Sequence, residues 1–262
     1  MTFPIEIRVG DIHLSLHPVF EMLAFAIGFR YFTYLRARST DYMSDDTRVK
    51  IIIGAIFGAF IGSRMLGALE DPYAFVHSAH KLLYFYSSKT IVGGLLGGLW
   101  GVEIAKLIIG EKRSSGDLFT FPIILAMIIG RIGCFTSGIT EPTYGVETTS
   151  MLGMNLGDGL MRHPIALYEI AFLLILWLVL YLINGYNSAL QSGDIFKLFM
   201  IFYLIFRFAI DFIKPVHLSL GILSSIQLAC VIGILYYIQT IIRLMLWVLR
   251  PHTDPRGESF KP

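Results

Sequence analysis

The stretch LFTFPIILAMIIGRIGCF, residues 118–135, is an almost purely apolar run that ends in an arginine between two glycines. A charged side chain at the centre of a bilayer costs about 2.5–3.5 kcal/mol, so Arg131 at the end of such a run indicates a function. Gly130 and Gly133 would let a ligand approach the backbone closely. We expect Arg131 to face a lipid phosphate in a site open to one side of a membrane. The alternative is an arginine that only reaches toward the membrane interface.

The composition outside this stretch also indicates a membrane protein. The chain has 262 residues, of which 55% are hydrophobic and 15% charged, and its mean hydropathy is +0.67. No basic run with interleaved aromatic residues indicates binding to nucleic acid. Cys134 and Cys230 lie in different apolar segments and form no metal-binding spacing. We therefore expect neither a metal nor a cofactor.

Several apolar blocks reach the roughly 20 residues that a helix needs to cross a bilayer. The pattern predicts an all-α, polytopic membrane protein with one domain over residues 1–251 and a disordered cytoplasmic tail over residues 252–262. The expected seven spans are His17–Leu35, Val49–Leu69, Thr90–Ile109, Asp117–Phe135, Ile165–Ile183, Ile195–Phe212 and Leu220–Leu249. Between them, residues 70–89 are expected to lie on the membrane surface, and residues 136–163 to form a long outer loop.

The distribution of lysine and arginine predicts the orientation of these spans. The loops after the first, third and fifth spans and the C-terminal end carry most of the basic residues, which places them in the cytoplasm. The N-terminus is then outside, and the outward-facing loops 70–89 and 136–163 hold most of the conspicuous polar residues. The N-terminus has no basic region before its apolar stretch and no small-residue cleavage site, so we expect no removable signal peptide.

Two spans carry glycines at a spacing of four, which places small residues on one face of a helix. They are Gly54, Gly58 and Gly62 in the second span, and Gly93, Gly97 and Gly101 in the third. Each face predicts a close approach by another helix.

Arg207 and Asp211 lie four residues apart in the sixth span and should share one helix face as an ion pair. In the functional interpretation, Arg207 binds phosphate through its planar fork of donors, and Asp211 orients it. In the structural interpretation, the pair only stabilises the helix.

Further candidates follow the same reasoning. Glu169 within the fifth span needs a partner, because an unpaired buried carboxylate is costly. His163, before the helix start at Pro164, is a possible proton carrier or a structural residue. Arg64 and Lys89 either contact substrate or anchor helix ends, and Glu141 is by default a solvated loop residue.

Six short motifs, in order along nearly the whole chain, resemble those of the bacterial phosphatidylglycerol–prolipoprotein diacylglyceryl transferases. Gly130–Phe135 is similar to the family's Gly-Arg-x-Gly-Asn-Phe signature. The others are Gly58-Ala59-Phe60-Ile61-Gly62-Ser63-Arg64, Gly93-Gly94-Leu95-Leu96-Gly97, Arg162-His163-Pro164 with Leu167-Tyr168-Glu169, Phe206-Arg207-Phe208 with Asp211-Phe212, and Leu223-Ser224 with Gln227.

The resemblance implies a transferase that moves diacylglyceryl from phosphatidylglycerol to the cysteine thiol of a prolipoprotein signal peptide, or to a related acceptor, and releases glycerol phosphate. It places the protein in the bacterial inner membrane with its site on the extracytoplasmic side. It implies catalytic roles for Arg131, Arg207, Asp211, His163 and Glu169. Substrate contacts are implied for Gly130, Gly133, Arg64, Lys89, Tyr168 and Glu141.

The sequence also differs from the family's pattern. Cys134 and Ser137 replace asparagines, Ile139 replaces a glutamate and Asp211 a glutamate, while Val92 stands where the family has a histidine before Gly93. If that histidine is the base, then Lys89, His163 or Glu141 must take its place. The alternative function is a non-catalytic lipid-binding or transport protein on the same scaffold. A secondary transporter is disfavoured because no inverted repeat of broken spans is found.

Overall fold

The fold is a bundle of helices with two small β-hairpins. The computed structural model describes residues 3–9, 12–39, 41, 43–186, 190–215 and 223–249. The long helices are α1 (Leu16–Arg38), α2 (Asp45–Ala68), α5 (Ile91–Ile109), α6 (Asp117–Ser137), α7 (Ile165–Tyr186) and α8 (Asp194–Ile210). The shorter helices are α3 (Pro72–His77), α4 (Lys81–Ser87), α9 (Ser225–Tyr236) and α10 (Ile238–Leu249).

The prediction of an all-α protein is confirmed for the bulk of the fold but missed two hairpins. β1 (Glu6–Val9) pairs antiparallel with β2 (Ile12–Ser15) directly before α1. In the loop over residues 136–163, β3 (Met154–Asn155) pairs with β4 (Met161–Arg162). Strands this short carry too little periodicity to be detected in the sequence.

Within the described residues, four helices are long and apolar enough to cross a membrane, namely α2, α5, α6 and α7. A fifth span is possible if α9 and α10 count as one, although these two helices meet at an angle of 56°. The seventh span, predicted over Leu220–Leu249, is therefore bent within its described part, and the apolar pattern of the sequence gave no sign of this bend. α8 has 17 residues, which is the lower limit of length for a span.

Residues 70–89, predicted to lie at the membrane surface, form the short helices α3 and α4. Asp71 caps α3 by accepting a hydrogen bond from the Ala74 N–H, and Pro72 occupies its first turn. Tyr73, Leu82 and other apolar side chains of this segment are exposed. The predicted tail over residues 252–262 lies outside the described residues.

The glycine faces predicted on α2 and α5 pack against each other. A Cβ atom at Gly58 would overlap the carbonyl oxygen of Gly97, so the two backbones touch directly. Gly94, on the neighbouring face of α5, has room, because its nearest neighbour would be 3.8 Å away. This contact joins α2 and α5 into one unit, while α1 packs along α6 as a second unit.

The apolar core lies where α6, α7, α8 and α9 meet. Phe199, Leu173 and Ile226 are almost fully buried there. Ser224 and Gln227 form a reciprocal capping box that fixes the start of α9 beside the end of α8. The core therefore holds the outer end of α8, with Arg207 and Asp211, in one position.

Candidate functional site

A large cavity lies between the α1/α6 unit and the α2/α5 unit. Its volume is about 1510 Å³, and it runs from the outer loop to the opposite end of the helices. Most of its wall is apolar. The charged or thiol-bearing residues at the end of the cavity that includes Glu141 of this loop are His17, Glu21, Arg64, Glu70, Lys89, Arg131, Cys134, Glu141, Arg207 and Lys214.

Arg131 projects from α6 into this cavity and is held from behind by α7. Its Nη2 atom lies 2.8 Å from Oε2 of Glu169, and the two side chains are only 7% and 0% exposed. The Tyr203 hydroxyl of α8 donates a 2.8 Å hydrogen bond to the other oxygen of Glu169. Glu169 therefore has the partner that the sequence could not name, and the tyrosine fixes its orientation.

Arg207, on α8, is also paired with a buried carboxylate. The predicted ion pair with Asp211 is confirmed, with 3.7 Å between Arg207 Nη2 and Asp211 Oδ1 and both side chains at most 6% exposed. The Ser224 hydroxyl donates to the other carboxylate oxygen of Asp211. The α9 cap thus anchors the acid that faces Arg207.

The two arginines lie near the same buried carboxylate. Both line it, and Glu169 lies within the electrostatic reach of both guanidinium groups. Lys214, just after α8, lines the same region. Burial, and then the positive charge of Arg207, lower the pKa of Lys214 to about 8. Lys214 is therefore close to losing its proton near neutral pH, mainly because it is buried.

Two of these buried atoms have no hydrogen-bond partner among the described residues: Arg131 Nε and Asp211 Oδ1. Buried polar atoms are satisfied in the great majority of cases, so each exception requires an explanation. Unused donor capacity on Arg131, which lines the cavity, is suited to a ligand with acceptor oxygens.

A second group of polar residues lies on the other side of Arg131. Cys134, one turn further along α6, has its sulfur 3.7 Å from Arg131 Nη1. The His17 imidazole at the start of α1 lies beside this thiol. Its Nε2 atom is 3.6 Å from Glu141 and 4.0 Å from Glu21.

The cavity wall near the start of α5 carries two more cations. Lys89, in the link between α4 and α5, lies 3.0 Å from both carboxylate oxygens of Glu21 and so joins this link to α1. Arg64 donates to the Ser88 carbonyl at 3.3 Å and lies over the rings of Phe60 and Tyr86. Both residues line the cavity, where they could contact a substrate. Each of them already contacts other protein groups.

The predicted glycines have different positions. A Cβ at Gly130 would meet nothing within 4 Å, and this residue lines the cavity, which leaves room for a ligand. A Cβ at Gly133 would lie 2.8 Å from Phe20 Cβ and 3.3 Å from the His17 carbonyl. We therefore assign Gly133 to the packing of α1 on α6 rather than to substrate contact.

The predicted His163 and Tyr168 lie away from the cavity lining formed by the described residues. His163 Nδ1 is 3.0 Å from the Tyr168 hydroxyl, so the two side chains contact each other. The loop over residues 136–163 instead brings Glu141 into the cavity, because its backbone pairs with neighbouring segments at Ile139 and Val146.

Four residues of the site were missed by sequence reasoning or given no role: His17, Glu21, Tyr203 and Lys214. A signal existed for Tyr203, because Phe199, Tyr203 and Arg207 recur at a spacing of four on α8. His17 had a weaker signal, as a histidine at the outer start of a span. Its approach to Cys134 and Glu141 joins three separate segments, and no local pattern could predict it.

Comparisons with known proteins identify the family. Residues 4–243 match the family model of the prolipoprotein diacylglyceryl transferases. The chain belongs to this family. A phosphatidylglycerol–prolipoprotein diacylglyceryl transferase of Nitratidesulfovibrio vulgaris is 28% identical over 275 residues, which cover 96% of this chain and 95% of that protein. Transferases of the same name from Rickettsia bellii and Bordetella parapertussis are each 27% identical, covering 84% and 85% of this chain, and 87% and 86% of their own lengths.

Val92 directly precedes Gly93 of the predicted glycine face. This side chain is fully buried among apolar residues at the start of α5 and cannot carry a proton. Among the histidines in the described ranges, His17 is the one that lines the cavity. The described residues also contain no group of three or more His, Cys, Asp or Glu side chains arranged to bind a metal.

Proposed function

We propose that this chain transfers a diacylglyceryl group from phosphatidylglycerol to the cysteine thiol of a prolipoprotein, with release of glycerol phosphate. One observation carries the assignment: two buried guanidinium groups from separate helices, Arg131 and Arg207, open onto one end of a cavity large enough for a phospholipid. Family membership and the names of the relatives support the same reaction.

The charges at this end of the cavity suit one phosphodiester. Arg131, Arg207 and Lys214 contribute three positive charges when protonated, and Glu169 and Asp211 contribute two negative ones. A phosphodiester carries one negative charge and would balance the set. Fixed positive groups also stabilise the charge that develops on the leaving phosphate, which is often the largest single contribution to catalysis.

In the proposed reaction the acceptor thiol attacks the glycerol carbon that bears the phosphate. The S–C bond forms, the C–O bond breaks, and its electron pair goes to the phosphate oxygen held by Arg131 and Arg207. The thiol proton passes to His17, the histidine that lines the cavity among the described residues. Glu141 and Glu21, at 3.6 Å and 4.0 Å, would stabilise the resulting imidazolium.

We also propose that the protein is a multi-pass protein of the bacterial cytoplasmic membrane with its site on the extracytoplasmic side. The basic residues in the loops after α1 and α5 support this orientation. We propose that α1 and the short α8 also cross the membrane. Together with the four long apolar helices and the bent pair α9 and α10, they would give the predicted seven spans. Cysteine accessibility at both ends of each helix, measured in spheroplasts, tests the orientation.

Reconstitution tests the reaction. The purified protein is placed in vesicles of labelled phosphatidylglycerol with a synthetic peptide that contains the acceptor cysteine, and the mass of the peptide is measured. Addition of one diacylglyceryl group is expected, together with release of glycerol phosphate. An unmodified peptide, with a related transferase active in parallel, would contradict the proposal.

Val92 favours one alternative, which is a protein that binds the lipid without transferring it. In this case the headgroup would bind at Arg131 and Arg207, but the peptide would keep its mass. Measuring lipid binding beside transfer separates the two functions, because only the enzyme shows both.

A further inference from the structure

The cavity holds a thiol that the proposed transfer reaction does not use. Cys134 lies on α6 one turn after Arg131 and lines the cavity, whereas Cys230 is fully buried in α9. The chain contains two cysteines, so the two positions offer an internal comparison. Both are free thiols.

The surroundings of Cys134 are those of an activated nucleophile. The His17 imidazole lies beside the sulfur as a proton acceptor, and Glu141 lies 3.6 Å behind the imidazole. Arg131 Nη1, at 3.7 Å from the sulfur, would stabilise a thiolate. A thiol next to an imidazole, a carboxylate and a guanidinium is the arrangement in which cysteines react at neutral pH.

An unsatisfied polar atom marks this region as a site for a ligand. Arg131 is only 7% exposed, yet its Nε atom has no hydrogen-bond partner among the described residues. His17 lines the cavity beside Arg131 and Cys134. The wall between these groups is open at Gly130, where a side chain would meet nothing within 4 Å. A small carbonyl compound would fit in this space with its oxygen toward Arg131.

We propose that Cys134 and His17 form a covalent-modification site for α,β-unsaturated carbonyl compounds, a class of electrophile that partitions into membranes. The sulfur bonds to the β-carbon, the electron pair of the C=C bond moves to the α-carbon, and this carbon receives the thiol proton through His17. Arg131 interacts with the carbonyl oxygen, on which negative charge develops. The adduct lies beside Arg131 and blocks the position proposed for the phosphate.

N-ethylmaleimide belongs to this class and serves as the probe. The purified protein in detergent micelles is treated at pH 7, and adducts on each cysteine are counted over time by peptide mass spectrometry. We expect Cys134 to react about tenfold faster than the thiol of a short cysteine peptide, because most ordinary thiols are protonated at this pH. Cys230 should react only after denaturation.

Three further measurements test the mechanism. The His17→Gln variant should slow modification of Cys134 by about tenfold and make its rate rise steeply with pH, as for an ordinary thiol. Glycerol phosphate should slow modification of the wild-type protein, since it would occupy Arg131. The Cys230→Ser variant should react as the wild type does, while Cys134→Ser should take up no probe before denaturation.

The internal comparison between the two cysteines needs no variant, so it stands even if His17→Gln does not fold. Equal rates for Cys134 and the peptide thiol would overturn the proposal, as would a Cys134 that reacts only after denaturation. The adduct assay does not measure diacylglyceryl transfer, so it can fail or succeed separately from the proposed function; only the protection by glycerol phosphate rests on that function.

Discussion

Arg48 and Arg131 are both buried arginines paired with a carboxylate, yet their surroundings differ. Arg48, in the first turn of α2, donates to both oxygens of Asp41 at 2.6 Å and 3.1 Å, and to the Ser115 carbonyl at 3.3 Å. Asp41 also accepts from Arg36 and from the Met43 N–H. Every nitrogen of the Arg48 fork therefore has a partner within the protein.

Arg131 has fewer partners for the same number of donors. It has the Glu169 contact and the long contact to the Cys134 sulfur, and its Nε has no partner among the described residues. Removing a charge from water is costly, so donors left unused in a cavity wall are explained best by a substrate. We infer that Arg48 stabilises the fold, whereas Arg131 is held ready for a ligand.

The same contrast applies to the acids. Burial would raise the pKa of Asp41, but hydrogen bonds from Arg48, Met43 and Arg36 outweigh it and lower the pKa below its usual value. Asp41 thus stays charged as a structural partner. Asp211 keeps one oxygen without a hydrogen-bond partner among the described residues, close to Arg207 and the cavity.

The largest expected effect comes from replacing Arg131 with lysine, and Arg48→Lys is the matched control. Lysine keeps the positive charge but lacks the planar fork of donors. Arg131→Lys should reduce diacylglyceryl transfer by about 10²–10³-fold, the usual cost of one charge-stabilising donor, with little change in the melting temperature. Arg48→Lys should lower the melting temperature and leave turnover per folded molecule within about twofold of wild type. Transfer assays and thermal unfolding on both variants check this, and equal losses of transfer would contradict the distinction.

The next effect concerns the carboxylates. Asp211→Asn keeps an acceptor for the Ser224 hydroxyl but no longer orients Arg207 by charge, so kcat should fall by about tenfold, equivalent to 1.4 kcal/mol. KM for phosphatidylglycerol should not rise, because the site becomes more positive. Asp41→Asn should act on thermal stability instead. A rise in KM without a fall in kcat for Asp211→Asn would argue against the orienting role.

These expectations show how far the sequence alone could reach. Arg131, Arg207 and the Arg207–Asp211 pair were predictable, because charges within apolar runs are rare and i, i+4 residues share a helix face. The glycine faces were predictable from their spacing. The partner of Arg131 was not, because Glu169 lies on another helix and its approach depends on how α6 and α7 pack. His163 and Tyr168 stood out in a motif, but the loop directs them toward each other.

A smaller effect is expected from two tyrosines. Tyr203→Phe removes one hydrogen bond to Glu169, worth about 1 kcal/mol, and should reduce kcat by about fivefold with little change in KM. Tyr237 is the matched control, because its buried hydroxyl has no partner among the described residues. Tyr237→Phe should therefore be neutral or slightly stabilising. Steady-state kinetics on both variants decide the matter, and equal effects would mean that the hydroxyl of Tyr203 has no special role.

The smallest effect concerns pH. The pKa of Lys214 is about 8, so this side chain is charged below that pH and loses its charge as pH rises through it. Affinity for the lipid headgroup should then fall by about two- to fivefold between pH 7 and 9, since a partly exposed charge contributes about 0.5–1 kcal/mol.

Lys214→Met should bind more weakly at pH 7 and should flatten this profile. The folded-state pKa lies below that of an unfolded lysine, so the unfolded chain binds more protons between about pH 8 and 10, and the free energy of unfolding should rise with pH there. A wild-type binding profile that is flat over this range would exclude Lys214 from the headgroup site.

A structure of the protein with phosphatidylglycerol bound in a lipid nanodisc tests most directly whether the two arginines share one phosphate. We expect the phosphate oxygens within about 3.2 Å of guanidinium nitrogens on both Arg131 and Arg207, with Glu169 and Asp211 still behind them. A phosphate held instead by Arg64 and Lys89 near the start of α5, with Arg131 and Arg207 unoccupied, would contradict the account.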